Sequence, residues 1–149
     1  MLFQRELNFR RTTPVVGDDV PPAPETACID DDTSVREALE GLLVAFGFAV
    51  KTFASAEKFL RSAQMERFSC LITDMKLGGM SGLQLHTSLL ETGHSIPTII
   101  ITAFGDECLQ RQATEAGVIA LLRKPITRED LLSSIRLALN RSATGNENL

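Results

Sequence analysis

Apolar positions along this chain follow two alternating rhythms. Short apolar runs recur at "TACI" (26–29), "FAVKTF" (48–53), "SCLIT" (69–73), "PTIIIT" (97–102) and "VIALL" (118–122). Runs of this length bounded by turn residues predict buried strands, and "PTIIIT" is too short and too β-branched for a helix. Between the runs the apolar spacing lengthens to three or four. Val35, Leu39, Leu42, Leu43 and Phe46 predict a helix that stops at Gly47. Ser55 caps a short helix carrying Phe59 and Leu60. Leu83, Leu85, Leu89 and Leu90 predict a helix over 81–93, and another covers about 106–116, closed by Gly117. Thr127 with Asp130 makes a capping-box-like start to a last helix over 128–140.

Five strand–helix repeats of this kind predict an α/β domain whose parallel sheet is covered on both faces. Right-handed crossovers leave few topologies. A single doubly wound, five-stranded sheet in the order 2-1-3-4-5, the flavodoxin-like arrangement, is the expected one. Residues 26–140 hold the whole pattern. Residues 1–25 carry four of the six prolines and predict a disordered or loosely packed tail, with a short helix over 2–10. The polar stretch "RSATGNENL" (141–149) is expected to be a flexible tail.

In open α/β sheets ligands bind just beyond the carboxyl ends of the strands. Those positions hold Asp30, Asp31 and Asp32 after the first run, and Asp74 followed by "MKLGGMSG" after the third. Thr102 closes the fourth, and Lys124-Pro125 follows the fifth. Such a set suits phosphoryl transfer. A carboxylate can attack phosphorus to give an aspartyl phosphate. Further carboxylates nearby would raise its pKa and blunt it, unless a Mg²⁺ ion takes them as oxygen ligands and offsets their charge. A lysine and a threonine hydroxyl can each hold a phosphate oxygen.

The composition, 44% hydrophobic and 23% charged, is that of an ordinary globular domain. A net charge of −4 argues against nucleic acid or an anionic membrane as the main partner. No apolar run approaches the ~20 residues of a membrane span, and "MLFQRELNFRR" lacks the apolar stretch of a secretory signal. A cytoplasmic chain is expected. Cys28, Cys70 and Cys108 lack CxxC spacing and read as small buried side chains, while His86 and His94 read as surface residues.

Taken together, "CIDDDTSVREAL", "LITDMKLGGMSGLQL", "IIITAFGDE" and "LLRKPI" closely resemble the receiver domain of two-component response regulators, in particular its FixJ-like branch, over about residues 26–140. The resemblance implies Asp74 as phospho-acceptor, loaded by a sensor histidine kinase. It implies Asp30 and Asp31 as the acidic pair that holds Mg²⁺, with Asp31 favoured as the direct ligand, and the backbone carbonyl of Lys76 as a further ligand beside Asp74. It assigns Thr102 as the switch hydroxyl, Lys124 as the phosphate-pairing lysine, and a cis Lys124–Pro125 bond. The signal is then passed to an unidentified downstream protein. The face made by the fourth helix, fifth strand and fifth helix changes its partner preference and is also a homodimer surface in this branch. Asp32 is read as a helix-start acid.

The chain departs from the family at three places. Leu121 stands where an aromatic ring usually turns inward, Leu77-Gly78 replaces Met-Pro, and the chain ends about nine residues after the last predicted helix, without room for a DNA-binding domain. The chain is then either a stand-alone receiver acting by protein contact or a truncated gene product, and direct DNA binding by it is not expected. Phe104 and Lys76 lie two residues beyond Thr102 and Asp74 and are expected to flank the site, with the Phe104 ring limiting water access. Two other readings compete. "DDDTSV" approximates the signature of haloacid-dehalogenase-type phosphatases, with Asp30 as nucleophile and Asp32 as acid/base, but that leaves Asp74 unexplained. A receiver-like scaffold that is never phosphorylated would not need the intact set of five residues. On the receiver reading, removing Asp31 is expected to raise stability while abolishing phosphorylation.

Overall fold

The computed structural model describes residues 24–62 and 65–147. Expectations for residues 1–23, including the helix over 2–10, lie outside the described residues. The elements run β1 (Glu25–Ile29), α1 (Thr33–Ala45), β2 (Ala49–Phe53), α2 (Ala56–Leu60), a 3₁₀ turn (Met65–Arg67), β3 (Phe68–Asp74), α3 (Gly82–Glu91), β4 (Thr98–Thr102), α4 (Glu107–Glu115), β5 (Ala120–Arg123) and α5 (Arg128–Glu147). The strands form one parallel sheet in the order β2-β1-β3-β4-β5, as the sequence predicts.

Each helix starts where a short polar side chain can take up free backbone N–H groups. Asp32 accepts from the backbone N–H groups of Ser34 and Val35, Ser55 from that of Lys58, and Asp106 from that of Leu109. Ser81 and Gln84 form a reciprocal capping box at α3. Asp32 is thus the helix-start acid expected of it.

Alternation along the strands divides the core between the two faces of the sheet. Ala27, Ile29 and Leu71 pack with Phe59 of α2 and Leu85 and Leu89 of α3. On this side the rings of Phe53, Phe59 and Phe68 meet at centroid distances of 5.2, 5.9 and 5.7 Å. Cys28, Ile72, Ile99 and Ile101 face the other way, onto Leu39 and Leu43 of α1 and Leu131 and Ile135 of α5.

Three expectations need correction. α5 continues to Glu147, so residues 141–147, expected as a flexible tail, are helical. No proline interrupts that stretch, and a single glycine costs a helix only about 1 kcal/mol. Cys108 is exposed, whereas Cys28 and Cys70 are buried. Burial pushes each of these two thiols up to about 12, with a smaller upward push on Cys28 from Cys70, so both stay neutral and unreactive. His86 is buried rather than on the surface.

Candidate functional site

The carboxyl ends of β1, β3, β4 and β5 bring the expected side chains together. Asp30, Asp31 and Asp74 each offer a carboxylate oxygen, and these oxygens all lie within 4.8 Å of one another. Their surroundings differ. Asp31 is exposed and Asp74 half-buried, while Asp30 is only 4% exposed. Asp30 Oδ1 accepts the backbone N–H of Asp32 at 2.9 Å, and its carbonyl oxygen accepts from Arg36 Nη1 at 2.7 Å. Burial pushes the Asp30 carboxyl above the usual carboxylate range. The Asp32 N–H opposes that shift, the charge of Asp74 adds to it, Lys124 opposes it and Asp31 adds to it.

Asp74 ends β3 and is fixed from two sides. The following N–H, of Met75, donates to Ile101 O of β4 at 2.8 Å. Against its carbonyl lies the first turn of α3, where a Cβ on Gly82 would stand 2.6 Å from Asp74 O. Only a residue without a side chain lets the helix approach this closely. Lys124 Nζ reaches Asp74 Oδ1 at 3.2 Å, and the Lys124 N–H donates to Thr102 O at 2.8 Å, holding the start of the β5–α5 loop against β4. The Lys124–Pro125 bond is cis.

The Thr102 hydroxyl is buried and turned into its own loop. It accepts the Phe104 N–H at 3.1 Å and donates to Phe104 O at 3.2 Å. The Phe104 ring is 73% exposed, with Lys76 Nζ 5.6 Å from its centroid. A cavity of about 300 Å³ is lined by Asp74, Lys76, Thr102, Phe104, Leu109 and Lys124, among others. Leu121 is half-buried on β5 opposite Ile100 and is not among the lining residues. A larger, mostly apolar groove of about 670 Å³ lies beside the acids, between α1 and the start of α5, with Leu39, Leu42 and Ile126 in its wall and Asp30 and Lys124 at its edge.

Two features of the site escaped the sequence reading. One is that Asp30, not Asp31, is the buried acid. The other is the Asp74–Gly82 contact, whose only signal is a glycine at the first position of a helix.

The three carboxylates form an all-oxygen donor set matching a hard divalent cation such as Mg²⁺. A buried carboxyl already pushed toward its neutral form is one whose charge such a cation would offset. The donor set and its electrostatics therefore fit the ion.

A family model described as the response regulator receiver domain matches residues 27–136. The chain is 41% identical over 120 residues to the response regulator protein TmoT of Ectopseudomonas mendocina, covering 80% of this chain and 54% of that protein. It is 36% identical over 110 residues to the transcriptional regulatory protein FixJ of Rhizobium meliloti (strain 1021), covering 74% of this chain and 54% of that one. The chain thus spans about half the length of these curated relatives. Among solved structures, response regulator StyR matches with a TM-score of 0.79 at 38% identity, covering 85% of this chain and 64% of that one. The structure described as FixJ-N matches with a TM-score of 0.71 at 32% identity, covering 80% and 96%.

Proposed function

Since the chain belongs to the response regulator receiver domain family, we propose that Asp74 is the phospho-acceptor of a two-component pathway, loaded by a sensor histidine kinase. The observation that carries this reading is the convergence on Asp74 of two further carboxylates and a lysine ammonium at one sheet edge. In the transfer, a carboxylate oxygen of Asp74 attacks the phosphorus of a phosphohistidine. A P–O bond forms as the P–N bond breaks, and the departing imidazole nitrogen keeps the electron pair and takes up a proton.

Asp30, Asp31, Asp74 and the backbone carbonyl of Lys76 would hold the Mg²⁺ ion. When bound, the ion supplies positive charge against the phosphoryl oxygens. Lys124, already paired with Asp74, moves its charge onto a phosphoryl oxygen as the carboxylate becomes an ester-like acyl phosphate. Thr102 donates its hydroxyl to another oxygen, which requires it to let go of Phe104 O. The phosphoryl group thereby releases one of the two bonds that hold the β4–α4 loop to Thr102, and α4 and its neighbours take up a different population of positions. Leu121 leaves this step without an aromatic partner, so the change runs through the loop. The Phe104 ring, with Lys76 beside it, shields the acyl phosphate from water. The downstream target is a protein that reads the face made by α4, β5 and α5, or a second copy of the chain on that face. The apolar groove next to Asp30 offers the kinase a landing surface within reach of the acceptor.

The phosphatase reading, with Asp30 as nucleophile, is disfavoured because it gives no role to Asp74, which stands beside the two acids and paired with Lys124. The scaffold reading has no use for a buried acid in a three-carboxylate cluster. Incubation with acetyl phosphate tests the proposal against the scaffold reading. Wild-type chain is expected to take up phosphate only with Mg²⁺ present, and Asp31→Asn to lose that uptake. Uptake that persists in excess chelator would refute the metal-assisted mechanism, and no uptake in any divalent cation would favour the scaffold.

A further inference from the structure

His86 is the one histidine the proposed chemistry does not use that is also buried, at 4% exposure, and both of its ring nitrogens are engaged. Nε2 lies 2.8 Å from the carbonyl oxygen of Ala116, and Nδ1 lies 2.9 Å from Thr98 Oγ1. A carbonyl can only accept, so Nε2 must carry a proton and donate it. In the neutral ring Nδ1 is then the acceptor, and the Thr98 hydroxyl faces two acceptors, Nδ1 and Ile96 O at 2.8 Å, with one proton. The Ala116 bond therefore runs from the ring to the carbonyl, the Thr98–Ile96 bond runs from the hydroxyl to the carbonyl, and only the Nδ1–Thr98 contact has no fixed direction.

Ala116 is the C-cap of α4, and its carbonyl is one of the helix-terminal acceptors that has no partner within the helix. The chain then turns through Gly117 at φ +82°, with the Val118 N–H donating to Ala113 O at 3.0 Å. The donor for Ala116 comes from α3. This matters because α4 is lightly held: among its residues only Ala113 is buried. Its other end follows directly on the Thr102–Phe104 loop that lines the acceptor cavity.

We propose that His86 is a positioning residue that tethers the C-terminal end of α4 to α3 and β4, leaving the end next to Thr102 as the end that moves. The tether itself is independent of phosphorylation; its consequence for signalling rests on the function proposed above. A helix held at one end converts a small displacement of the Phe104 loop into a swing rather than a slide.

Amide hydrogen exchange on the unphosphorylated chain tests the tether alone, with H86Q and H86N as the comparison. Counted in bonds from Cα, the glutamine amide nitrogen stands where Nε2 stands and reaches Ala116, whereas that of asparagine stands where Nδ1 stands and does not. Both variants lose the ring, so lost packing affects them alike. The amides of Ala116, Gly117 and Val118 are expected to exchange about fivefold or more faster in H86N than in H86Q, the worth of about one hydrogen bond. The amides of Ile99 and Ile100 in β4 should move equally in the two. Equal exchange of the Ala116, Gly117 and Val118 amides in both variants would overturn the proposal, reducing His86 to a packing residue. A difference between the variants that spreads equally into β4 would overturn it too, since the effect would then not belong to the helix end.

Discussion

At the scale of the residue, the three aspartates that follow β1 have three different roles. Asp32 caps α1, Asp31 faces solvent, and Asp30 is buried with its carboxyl pushed above the ordinary range. The expectation that removing Asp31 raises stability therefore shifts to Asp30. A carboxyl whose pKa is raised by folding opposes the folded state above its folded pKa, and ceases to oppose it below its unfolded value of about 3.9. In chelator, Asp30→Asn is expected to be more stable than wild type at pH 7 by urea denaturation, the difference closing as the pH falls toward about 4. Asp31→Asn, on an exposed side chain, should stay within about 0.5 kcal/mol of wild type at all these pH values. A second prediction concerns Phe104. If its ring excludes water from the acyl phosphate, Phe104→Ala should dephosphorylate several-fold faster while taking up phosphate normally. A decay curve that overlays wild type would remove the ring from the mechanism.

At the scale of the element, the sequence carried most of the fold because parallel strands buried on both faces read as plain apolar runs. β4 is the clearest case, with every residue buried. What it hid were properties set by the neighbours in space. The apolar stripe of α3 comprises Gly82, Leu85, His86 and Leu89, at helical spacing, so the burial of His86 was readable from position alone. Its polar chemistry masked it. Cys108 misled in the opposite sense, since its residue type is usually buried while α4 buries only Ala113. Gly82 shows how an element fixes the site. A methyl group there meets Asp74 O at 2.6 Å, so α3 or the end of β3 must move. Gly82→Ala is expected to cost about 1–3 kcal/mol of stability by chemical denaturation, and to slow phosphorylation beyond what that loss explains at temperatures where the variant is folded. A variant that phosphorylates at the wild-type rate would show that the close approach of α3 serves packing alone.

At the scale of the whole molecule, the sheet order brings chemistry from four strand ends to one edge, which is why residues as far apart in the chain as Asp30 and Lys124 group together from the order of elements alone. The grouping is legible because topology follows from the number and order of elements. The division of labour within the group is not, because burial of one acid and exposure of the next depends on how α1 and the β5–α5 loop close over them. Among the described residues no helix is long and apolar enough to cross a membrane. On the proposed function Asp74 alone accepts the phosphoryl group. Intact mass measurement after incubation with acetyl phosphate and Mg²⁺, on wild type, Asp74→Asn and Asp30→Asn, tests it most directly. One added phosphoryl group is expected on the wild type and none on Asp74→Asn. Phosphate retained by Asp74→Asn and lost only from Asp30→Asn would contradict it and place the nucleophile at the end of β1.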